Sequence, residues 1–385
     1  MKTAMNSQQN STTQIEKQGV RITYTYGTPV LALCGFSGSG KTTLLENAIA
    51  QLVAQGLSVA VVKHDSHGFE VDREGKDSDR FFRAGATVAL RGPTQQFQRR
   101  TLSSSLSLQV TLDDLSRDHD LILVEGHKHT PLPKLWMESS GQVSVPEGVT
   151  GILASLPWGS DRLTAFMDYL KTWLPSEWKK RPLNRGMLIG GASSRMGVPK
   201  QLVQFGERQL GEIVVDALRA GSLNARVVAL GLGPLPESQK DMYLFPDAIG
   251  FTGPLAGLMA AHRWAPEAAW IVAACDHPRL SAREIHWLES QRKPGRWAII
   301  PRQDDGHPCP TLALYEPQAL NFLARRAITF DWEETRLSSL LDHPRTVVLT
   351  PPEFLSGWSN ANTPDELQSV LTRGTPFVEL QRKRG

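Results

Sequence analysis

The chain has 385 residues, of which 40% are hydrophobic and 21% are charged, and its formal net charge is +3. A chain well beyond the size of one ordinary core predicts two domains, and these fractions are typical of globular protein. So small a net charge argues against a surface that coats nucleic acid, and it indicates only local basic sites for phosphates.

The chain has no feature of a secreted or membrane protein. Cys34, Cys275 and Cys309 are widely spaced and form no C-x-x-C pair, so we expect neither a disulfide framework nor a zinc site. Residues 1–26 are polar and lack the apolar core of a signal peptide, which predicts a flexible N-terminal tail. No stretch approaches the roughly 20 apolar residues that cross a bilayer. We therefore predict a cytoplasmic protein that binds neither membrane nor nucleic acid.

Strand and helix patterns alternate through a first predicted domain, residues 27–174. The predicted elements are, in order, strand Pro29–Cys34, helix Lys41–Gln55, strands Val59–Val62, Thr87–Leu90, Leu121–Val124 and Thr150–Leu153, and helix Arg162–Leu174. The charged stretch 175–184, which contains two prolines and shows no periodicity, predicts a linker.

The alternation then restarts in a second predicted domain, residues 185–373, before a C-terminal tail over 374–385. Its predicted elements are strand Gly186–Ile189, helix Glu212–Ala220, strand Val227–Leu230, helix Leu255–His262 and strand Trp270–Ala274. Such alternation predicts parallel sheets with helices on both faces, and ligands bind such sheets beyond the carboxyl ends of the strands.

Residues 35–42, GFSGSGKT, match the phosphate-loop pattern G-x-x-x-x-G-K-[ST] between a predicted strand and a predicted helix. Glycines let the backbone N–H groups point at phosphate oxygens, and the helix N-terminus adds a partial positive charge. We expect Lys41 to reach the β- and γ-phosphates and the Thr42 hydroxyl to bind Mg²⁺; the alternative is an incidental glycine turn. The predicted nucleotide-binding residues are Gly35, Ser37, Gly38, Ser39, Gly40, Lys41, Thr42 and Thr43.

The acidic partner of this loop is predicted at Glu125, which follows the strand Leu121–Val124. Its carboxylate can hold Mg²⁺ directly or through water, and the alternative is a solvated acid at a strand end. Asp65 is a rival or additional ligand. His64 and His67 have no third ligand at helical spacing, so a loop that contacts a nucleotide or another anion is favoured over a metal site.

Four segments of this half, GFSGSGKTT, KHDSHGFEVD, GKDSDRFFRAGA and DLILVEGHK, resemble the GTP-binding accessory protein of molybdenum cofactor biosynthesis, MobB. The resemblance covers about residues 29–174. It implies a P-loop NTPase fold, GTP binding, weak GTPase activity and association with the guanylyltransferase of the same pathway. We also expect that a homo-oligomer can form through this domain.

A second glycine-rich loop, LIGGASSRMGVPK, spans residues 188–200 and also follows a predicted strand. Its paired glycines allow a triphosphate to approach the backbone, and Arg195 and Lys200 can neutralise charge on the α-phosphate and on departing pyrophosphate. Because the basic residues follow the glycines at wider spacing than in the first loop, we expect the α-phosphate to be exposed for attack. The alternative is a basic glycine turn.

Two aspartates of this half are placed to contact the nucleotide. Asp276 lies at the end of a buried strand, where a carboxylate is costly unless it binds a cation or hydrogen-bond donors. Mg²⁺ that joins Asp276 to the α-phosphate would withdraw charge and fix the in-line geometry; the alternative is a helix N-cap. Asp247 lies shortly before the glycine-bounded helix start at 253–257, which suits a ribose or base contact.

The segments LIGGASSRMGVPK, FPDAIGFTGPLAGL, AACDHP, HPCPTLALY and SNANTPDEL resemble the molybdenum cofactor guanylyltransferase, MobA, over about residues 185–371. The resemblance implies a Rossmann-like nucleotidyltransferase fold and transfer of GMP from Mg·GTP to the terminal phosphate of molybdopterin. It implies that Lys200, Arg195 and Asp276 are catalytic and that Asp276 binds Mg²⁺. The implied binding residues are Leu188, Ile189, Gly190, Gly191 and Lys200 for the triphosphate, Asp247 for the guanosine, and Asn360 and Asn362 near the pterin. The alternative for the two asparagines is a turn that caps the final helix.

Two positions depart from this family's pattern. Pro199 stands where the family often has Asp, and the strand Val227–Leu230 lacks an Asn that can contact the nucleotide, so other residues are expected to select the base. The enzymatic alternatives are cytidylyl transfer to the same pterin and transfer to a sugar 1-phosphate. The alternative of another class is a scaffold GTPase whose second half only binds cofactor. Molybdoenzymes or cofactor-insertion chaperones are the expected partners.

Overall fold

The computed structural model describes residues 13–17, 20–24, 27–63, 72–101, 108–141, 144–190, 196–219, 227–329, 335–353 and 355–373. The chain divides into two compact units. The first holds Val59–Asp168 and the described residues up to Val53, and the second holds Ala54–Ser58 and the chain from Tyr169 onward. No helix within the described ranges is long and apolar enough to cross a membrane.

The first unit is built on a parallel sheet. Its strands are β1 (Thr13–Lys17), β2 (Val20–Tyr24), β3 (Val30–Gly35), β4 (Val59–Lys63), β5 (Val88–Arg91), β6 (Gln96–Arg99), β7 (Leu121–Glu125), β8 (Lys134–Met137) and β9 (Ile152–Leu156). Its helices are α1 (Lys41–Ala54), α2 (Asp77–Arg83), α3 (Leu108–Ser116) and the first part of α4 (Arg162–Lys179). The sheet order is β4-β7-β3-β8-β9 with every neighbour parallel, and β1–β2 and β5–β6 form antiparallel pairs.

Two central strands account for the core of this sheet. All six residues of β3 are buried, and so are the first four residues of β7. A strand covered on both faces needs a continuous apolar run rather than an alternating one, and VLALCG and LILV are such runs. These strands place the phosphate loop and Glu125 at the same edge of the sheet, since their carboxyl ends point the same way.

The second unit is built on a mixed sheet. Its strands are β10 (Leu183–Leu188), β11 (Gln204–Phe205), β12 (Arg208–Gln209), β13 (Val227–Leu230), β14 (Leu244–Phe245), β15 (Ala269–Ala274), β16 (Ala298–Pro301), β17 (Leu312–Tyr315) and β18 (Thr346–Leu349). Its helices are the rest of α4, α5 (Leu210–Arg219), α6 (Pro254–Trp264), α7 (Ala282–Ser290), α8 (Pro317–Thr329) and α9 (Pro364–Arg373), with 3₁₀ turns at Lys200–Leu202, Glu237–Gln239 and Leu337–Leu340. The main sheet has the order β14-β13-β10-β15-β17-β16-β18.

The predicted α/β fold class with two domains is confirmed, but the expected parallel sheet is wrong for part of the second unit. Strand β17 runs antiparallel to both β15 and β16. The connection from β16 to β17 is short, and a short connection joins antiparallel strands because parallel neighbours need a long crossover. Strands β14, β13, β10 and β15 are parallel as predicted, and their carboxyl ends carry the candidate site.

The predicted linker over residues 175–184 is mostly regular structure instead. Helix α4 continues through Pro175 to Lys179, and β10 begins at Leu183. Within the predicted N-terminal tail, residues 13–17 and 20–24 form the antiparallel pair β1–β2.

Buried polar contacts explain why the segment after Pro175 is ordered. Trp178 is fully buried, and its Nε1 donates to Glu316 Oε1 at 3.2 Å. The Glu316 carboxylate also accepts from Arg292 Nε at 2.8 Å and pairs with Arg181 at 3.5 Å. The arginines neutralise a carboxylate that could not otherwise be buried. The end of α4 is therefore part of the second unit.

Candidate nucleotide sites

The phosphate loop of the first unit joins β3 to α1. Gly38 and Gly40 have φ of 73° and 88°, in the left-handed region that favours glycine. Lys41 Nζ donates to Phe36 O at 2.7 Å and to Gly35 O at 3.3 Å, so its ammonium group lies within the curl of its own loop. Burial lowers the pKa of Lys41, although the nearby Glu125 carboxylate opposes that change. The loop thus holds a cation at the start of α1, where backbone N–H groups can surround a phosphate group.

Thr42 and Glu125 meet at the edge of the sheet as the sequence predicts. Thr42 Oγ1 donates to Glu125 Oε1 at 2.9 Å. A hydroxyl and a carboxylate side by side are oxygen ligands of the kind that Mg²⁺ prefers, and the remaining ligands of that ion are usually phosphate oxygens and waters. This pair therefore fits a magnesium ion bound together with a nucleotide.

The other predicted residues of the first site differ in their exposure to solvent. Ser39 is buried, whereas Ser37 and Thr43 are exposed. The rival ligand Asp65 and the two histidines of the same segment, His64 and His67, lie outside the described residues.

One residue of this site has no sequence signal. Arg162, at the start of α4, donates to Ser39 O at 2.9 Å, to Glu138 O at 2.5 Å and to Pro157 O at 2.9 Å. Its partners are backbone carbonyls up to 123 residues away, and no residue type marks such partners in a sequence.

The second unit has a cavity of about 430 Å³ beyond the ends of β10, β13 and β15. It is lined by Leu188, Ile189, Gly190, Lys200, Gln201, Leu230, Asp247, Gly253, Pro254, Gly257, Ala274, Cys275, Asp276 and Thr311. Six of these residues have a predicted triphosphate, guanosine or metal role: Leu188, Ile189, Gly190, Lys200, Asp247 and Asp276. Gly191 and Arg195 lie outside the described part of the chain.

Close backbone packing explains two glycines in the loops after β10 and β13. Gly190 has φ 93°, and a Cβ there would lie 3.0 Å from Leu232 O. Gly231 has φ 114°, and a Cβ there would lie 2.2 Å from Ile189 O. Only glycine allows a positive φ together with so close a backbone contact. The two glycines therefore let the loops after β10 and β13 lie directly against each other.

Lys200 and Asp276 form the charged centre of the cavity. Lys200 Nζ donates to Asn362 Oδ1 at 2.7 Å and to Asp276 Oδ2 at 3.3 Å. Asp276 Oδ1 is buried and accepts no hydrogen bond within the described ranges; His277 Nε2 lies 3.4 Å from it. A buried carboxylate oxygen without a donor is costly unless it receives a cation, so this atom fits a Mg²⁺ ligand.

The helix-cap alternative for Asp276 is not supported, because the next helix has its own cap. Helix α7 begins at Ala282, and Ser281 caps it in a capping box with Glu284. Asp276 lies five residues before that cap.

Burial raises the pKa of Asp247, the second cavity aspartate, because its carboxylate is partly removed from water.

The asparagine segment, residues 360–363, both contacts the cavity lysine and caps the final helix. The Asn362 side chain binds Lys200, while its backbone N–H donates to Glu366 Oε2 at 2.6 Å. Thr363 Oγ1 accepts from the Glu366 backbone N–H at 3.2 Å and caps α9. The backbone N–H of Ala361 donates to Asp276 O at 2.8 Å, which holds the segment beside the metal candidate. Asn360 is half-buried on the same segment.

A buried histidine and a buried cysteine form a pair beside Asp276 that the sequence does not indicate. His277 Nε2 lies 3.6 Å from Cys309 Sγ. Burial by itself lowers the pKa of His277, but the Cys309 thiol and the Asp276 carboxylate outweigh burial and raise it. Burial raises the pKa of Cys309, but the His277 ring outweighs burial and lowers it. The two residues are 32 positions apart, so only the fold shows that they meet.

A phosphate loop on one parallel sheet, followed by a Lys–Asp cavity on a second sheet, defines a nucleotide-binding unit joined to a nucleotidyltransferase unit. Residues 30–150 match the family model of molybdopterin guanine dinucleotide synthesis protein B, MobB, and residues 187–347 match that of the MobA-like NTP transferase domain. The chain belongs to the MobB family in its first part and to the MobA-like nucleotidyltransferases in its second.

Three relatives each match one part of the chain. A molybdopterin-guanine dinucleotide biosynthesis adapter protein of Haemophilus influenzae is 33% identical over 162 residues, which are 38% of this chain and 89% of the relative. The adapter protein of the same name from Escherichia coli is 37% identical over 123 residues, or 31% of this chain and 70% of the relative. A molybdenum cofactor guanylyltransferase of Rhodopseudomonas palustris is 30% identical over 188 residues, or 47% of this chain and 87% of the relative. Both predicted resemblances are confirmed, and the chain is an enzyme of the nucleotidyltransferase class.

Proposed function

We propose that the second unit transfers GMP from Mg·GTP to the terminal phosphate of molybdopterin and releases pyrophosphate, while the first unit binds GTP and hydrolyses it slowly. The observation that carries the proposal is the cavity in which Lys200, Asp276 and Gly190 face one space. Relatives named as guanylyltransferases of the molybdenum cofactor support the choice of GTP and molybdopterin over the cytidylyl and sugar-phosphate alternatives.

The transfer is a displacement at the α-phosphorus of GTP. An oxygen of the acceptor phosphate forms the new bond to that phosphorus, the bond from phosphorus to the oxygen that bridges to the β-phosphate breaks, and its electron pair leaves with pyrophosphate. Lys200 lies on the cavity wall, where its ammonium group neutralises charge on the α-phosphate and the leaving group. Arg195 is the proposed second cation of the same loop.

Asp276 is the proposed Mg²⁺ ligand, because its Oδ1 atom has no hydrogen-bond donor among the described residues. When bound there, Mg²⁺ supplies charge withdrawal from the phosphate oxygens. Asn362 holds the Lys200 ammonium group in place. Asn360, two residues earlier on the same segment, is the proposed pterin contact.

The first unit is proposed to bind GTP through the loop 35–42. Lys41 would reach the outer phosphates, and the adjacent oxygens of Thr42 and Glu125 would hold the Mg²⁺ that accompanies them. Because a relative of this unit is named an adapter protein, we propose that the unit has an accessory role beside the transferase.

The base assignment is tested by pyrophosphate release from the purified full-length chain with molybdopterin and GTP, CTP or UTP in turn. We expect release with GTP to exceed release with either pyrimidine nucleotide. A clearly faster reaction with CTP or UTP would contradict the guanylyl assignment.

The transferase assignment is tested by Asp276→Ala. Loss of this carboxylate should lower GMP transfer by about 100-fold or more, since it removes a group that acts on the developing charge. The exposed Asp241→Ala is the matched control and should transfer normally. Retained transfer in Asp276→Ala would contradict the metal assignment, and a scaffold that only binds cofactor predicts no transfer in any variant.

A further inference from the structure

The strand order of the first sheet leaves one flank of the phosphate loop for the nucleoside. Strand β3 leads into the loop, β7 lies on one side of it and β8 and β9 lie on the other. The β7 side is taken by the Thr42–Glu125 pair. Ligands of such sheets bind beyond the carboxyl ends of the strands, so a nucleotide held by its phosphates extends past the ends of β8 and β9.

The residues at those two strand ends are Glu138 and Trp158. Glu138 directly follows β8, and Trp158 is the second residue after β9. The Trp158 side chain is 54% exposed although it lies at the edge of the sheet. The Trp158 backbone N–H donates to Glu138 Oε2 at 3.3 Å, which holds the carboxylate beside the tryptophan.

The Arg162 guanidinium fixes both residues relative to the phosphate loop. It donates to Ser39 O inside the loop and to Glu138 O at the end of β8, while its Nε donates to Pro157 O beside Trp158. Its carbon Cζ lies 5.0 Å from the centre of the Trp158 ring. One side chain thus joins the loop and both strand ends, so Glu138 and Trp158 lie within the reach of a nucleotide bound at the loop.

The chemistry of this pair matches guanine. An exposed indole ring provides a face on which a base can stack. The Watson–Crick edge of guanine presents two N–H donors side by side, and an ionised carboxylate has only acceptor oxygens. Adenine presents an acceptor nitrogen at the corresponding position, which a carboxylate repels.

We propose that Trp158 and Glu138 form the base subsite of the first unit, with Trp158 stacking on the base and Glu138 selecting guanine over adenine. This inference rests on the proposed binding of a nucleoside triphosphate by the loop 35–42. Arg162 is a positioning residue of the subsite, since it holds the two side chains through backbone carbonyls.

The test measures the dissociation constants of GTP, ATP and inorganic tripolyphosphate for the full-length chain by equilibrium dialysis. The binding that is lost in Lys41→Ala is taken as binding to the first unit. Trp158→Ala should weaken GTP binding about tenfold, and Trp158→Phe should restore most of it. Glu138→Gln should lower the preference for GTP over ATP about tenfold or more, because an amide can donate to adenine. Tripolyphosphate, which has no base, should bind the Trp158 and Glu138 variants as it binds the wild type.

Two exposed residues of the same unit serve as matched controls. Phe81→Ala removes an aromatic ring that is 61% exposed on α2, and Glu46→Gln neutralises an exposed carboxylate on α1. Neither should change GTP affinity or the preference for GTP. Equal GTP affinity in Trp158→Ala, an unchanged preference in Glu138→Gln, or a parallel loss of tripolyphosphate binding would overturn the subsite alone. If Lys41→Ala removes no nucleotide binding, the proposed function of the first unit fails with it.

Discussion

At the scale of single residues, Asp79 shows what the motif segment GKDSDRFFRAGA does in the fold. Its side chain is almost fully buried and accepts from the Gly75 backbone N–H at 3.0 Å, Arg83 Nε at 2.8 Å and Arg99 Nη1 at 2.9 Å. The hydrogen bonds from Gly75 and Arg99 lower the pKa of Asp79 to about 2. Because Arg99 belongs to β6 and Arg83 to α2, one carboxylate holds these two elements together.

This pKa predicts a pH dependence of stability. The pKa of Asp79 is lower in the folded state than its ordinary value of 3.8, so its contribution is complete above pH 4 and is lost as the pH falls through about 2. Asp79→Asn should lower the melting temperature by a constant amount from pH 7 to pH 5, and the difference from wild type should shrink toward pH 2. Thermal unfolding across that range measures it.

Asp77→Asn is the control for this prediction. The Asp77 side chain is 88% exposed and lies 3.8 Å from Arg80, so its removal should change the melting temperature little at any pH. A gap between wild type and Asp79→Asn that widens with acid would contradict the prediction.

At the scale of elements, apolar runs and motif loops could be predicted, whereas elements that depend on distant partners could not. The strands β3, β7 and β15 were visible because each is an uninterrupted apolar run. Strand β8 was missed because it begins with Lys134, which is buried and donates to the carbonyls of Lys128, Thr130 and Thr150. Those carbonyls stabilise the buried ammonium group, and a sequence does not show that they converge.

The packing of α6 on β13 is a second contact at this scale. Gly257 lies on α6, and a Cβ there would lie 2.9 Å from the backbone carbon of Leu230 at the end of β13. The sequence marked this glycine as the boundary of a helix start, but the structure shows that it permits close contact between helix and strand. Both residues line the transferase cavity.

Gly257→Ala should therefore push α6 away from β13. The expected cost is about 1–3 kcal/mol of unfolding free energy, with a higher KM for GTP in the transfer reaction. Denaturant unfolding and steady-state transfer kinetics measure the two effects. Gly92→Ala is the control, because its added Cβ would have its nearest neighbour at 3.6 Å, an ordinary contact distance. An unchanged KM together with unchanged stability would contradict the packing argument.

At the scale of the whole molecule, the plan of two nucleotide-handling units was predictable and the boundary between them was not. Two separate motif loops predicted the plan. The boundary was placed at residues 175–184 because that stretch is charged and contains prolines, yet Trp178 and Arg181 are buried against Glu316. Contacts with Glu316, which is more than 130 residues away, outweigh the charge and proline content of this stretch.

Because each unit has its own proposed phosphate-binding lysine, the two activities should be separable. Lys41→Ala should abolish the slow hydrolysis of GTP and leave molybdopterin-dependent pyrophosphate release largely intact, and Asp276→Ala should do the reverse. Phosphate release without molybdopterin and pyrophosphate release with it are the two measurements. Loss of both activities in either variant would show that the sites act as one.

The hydrogen bond between Lys200 and Asn362 joins residues 162 positions apart, whereas the groups assigned to the first site all lie between Gly35 and Arg162. Domains generally fold as units during synthesis, the N-terminal one first. While the ribosome is still adding the second half, the nascent first unit already has its phosphate loop, Glu125 and Arg162. The transferase centre is completed only when the asparagine segment emerges. If the proposed assignments are correct, a newly made chain binds GTP before it can use GTP for transfer.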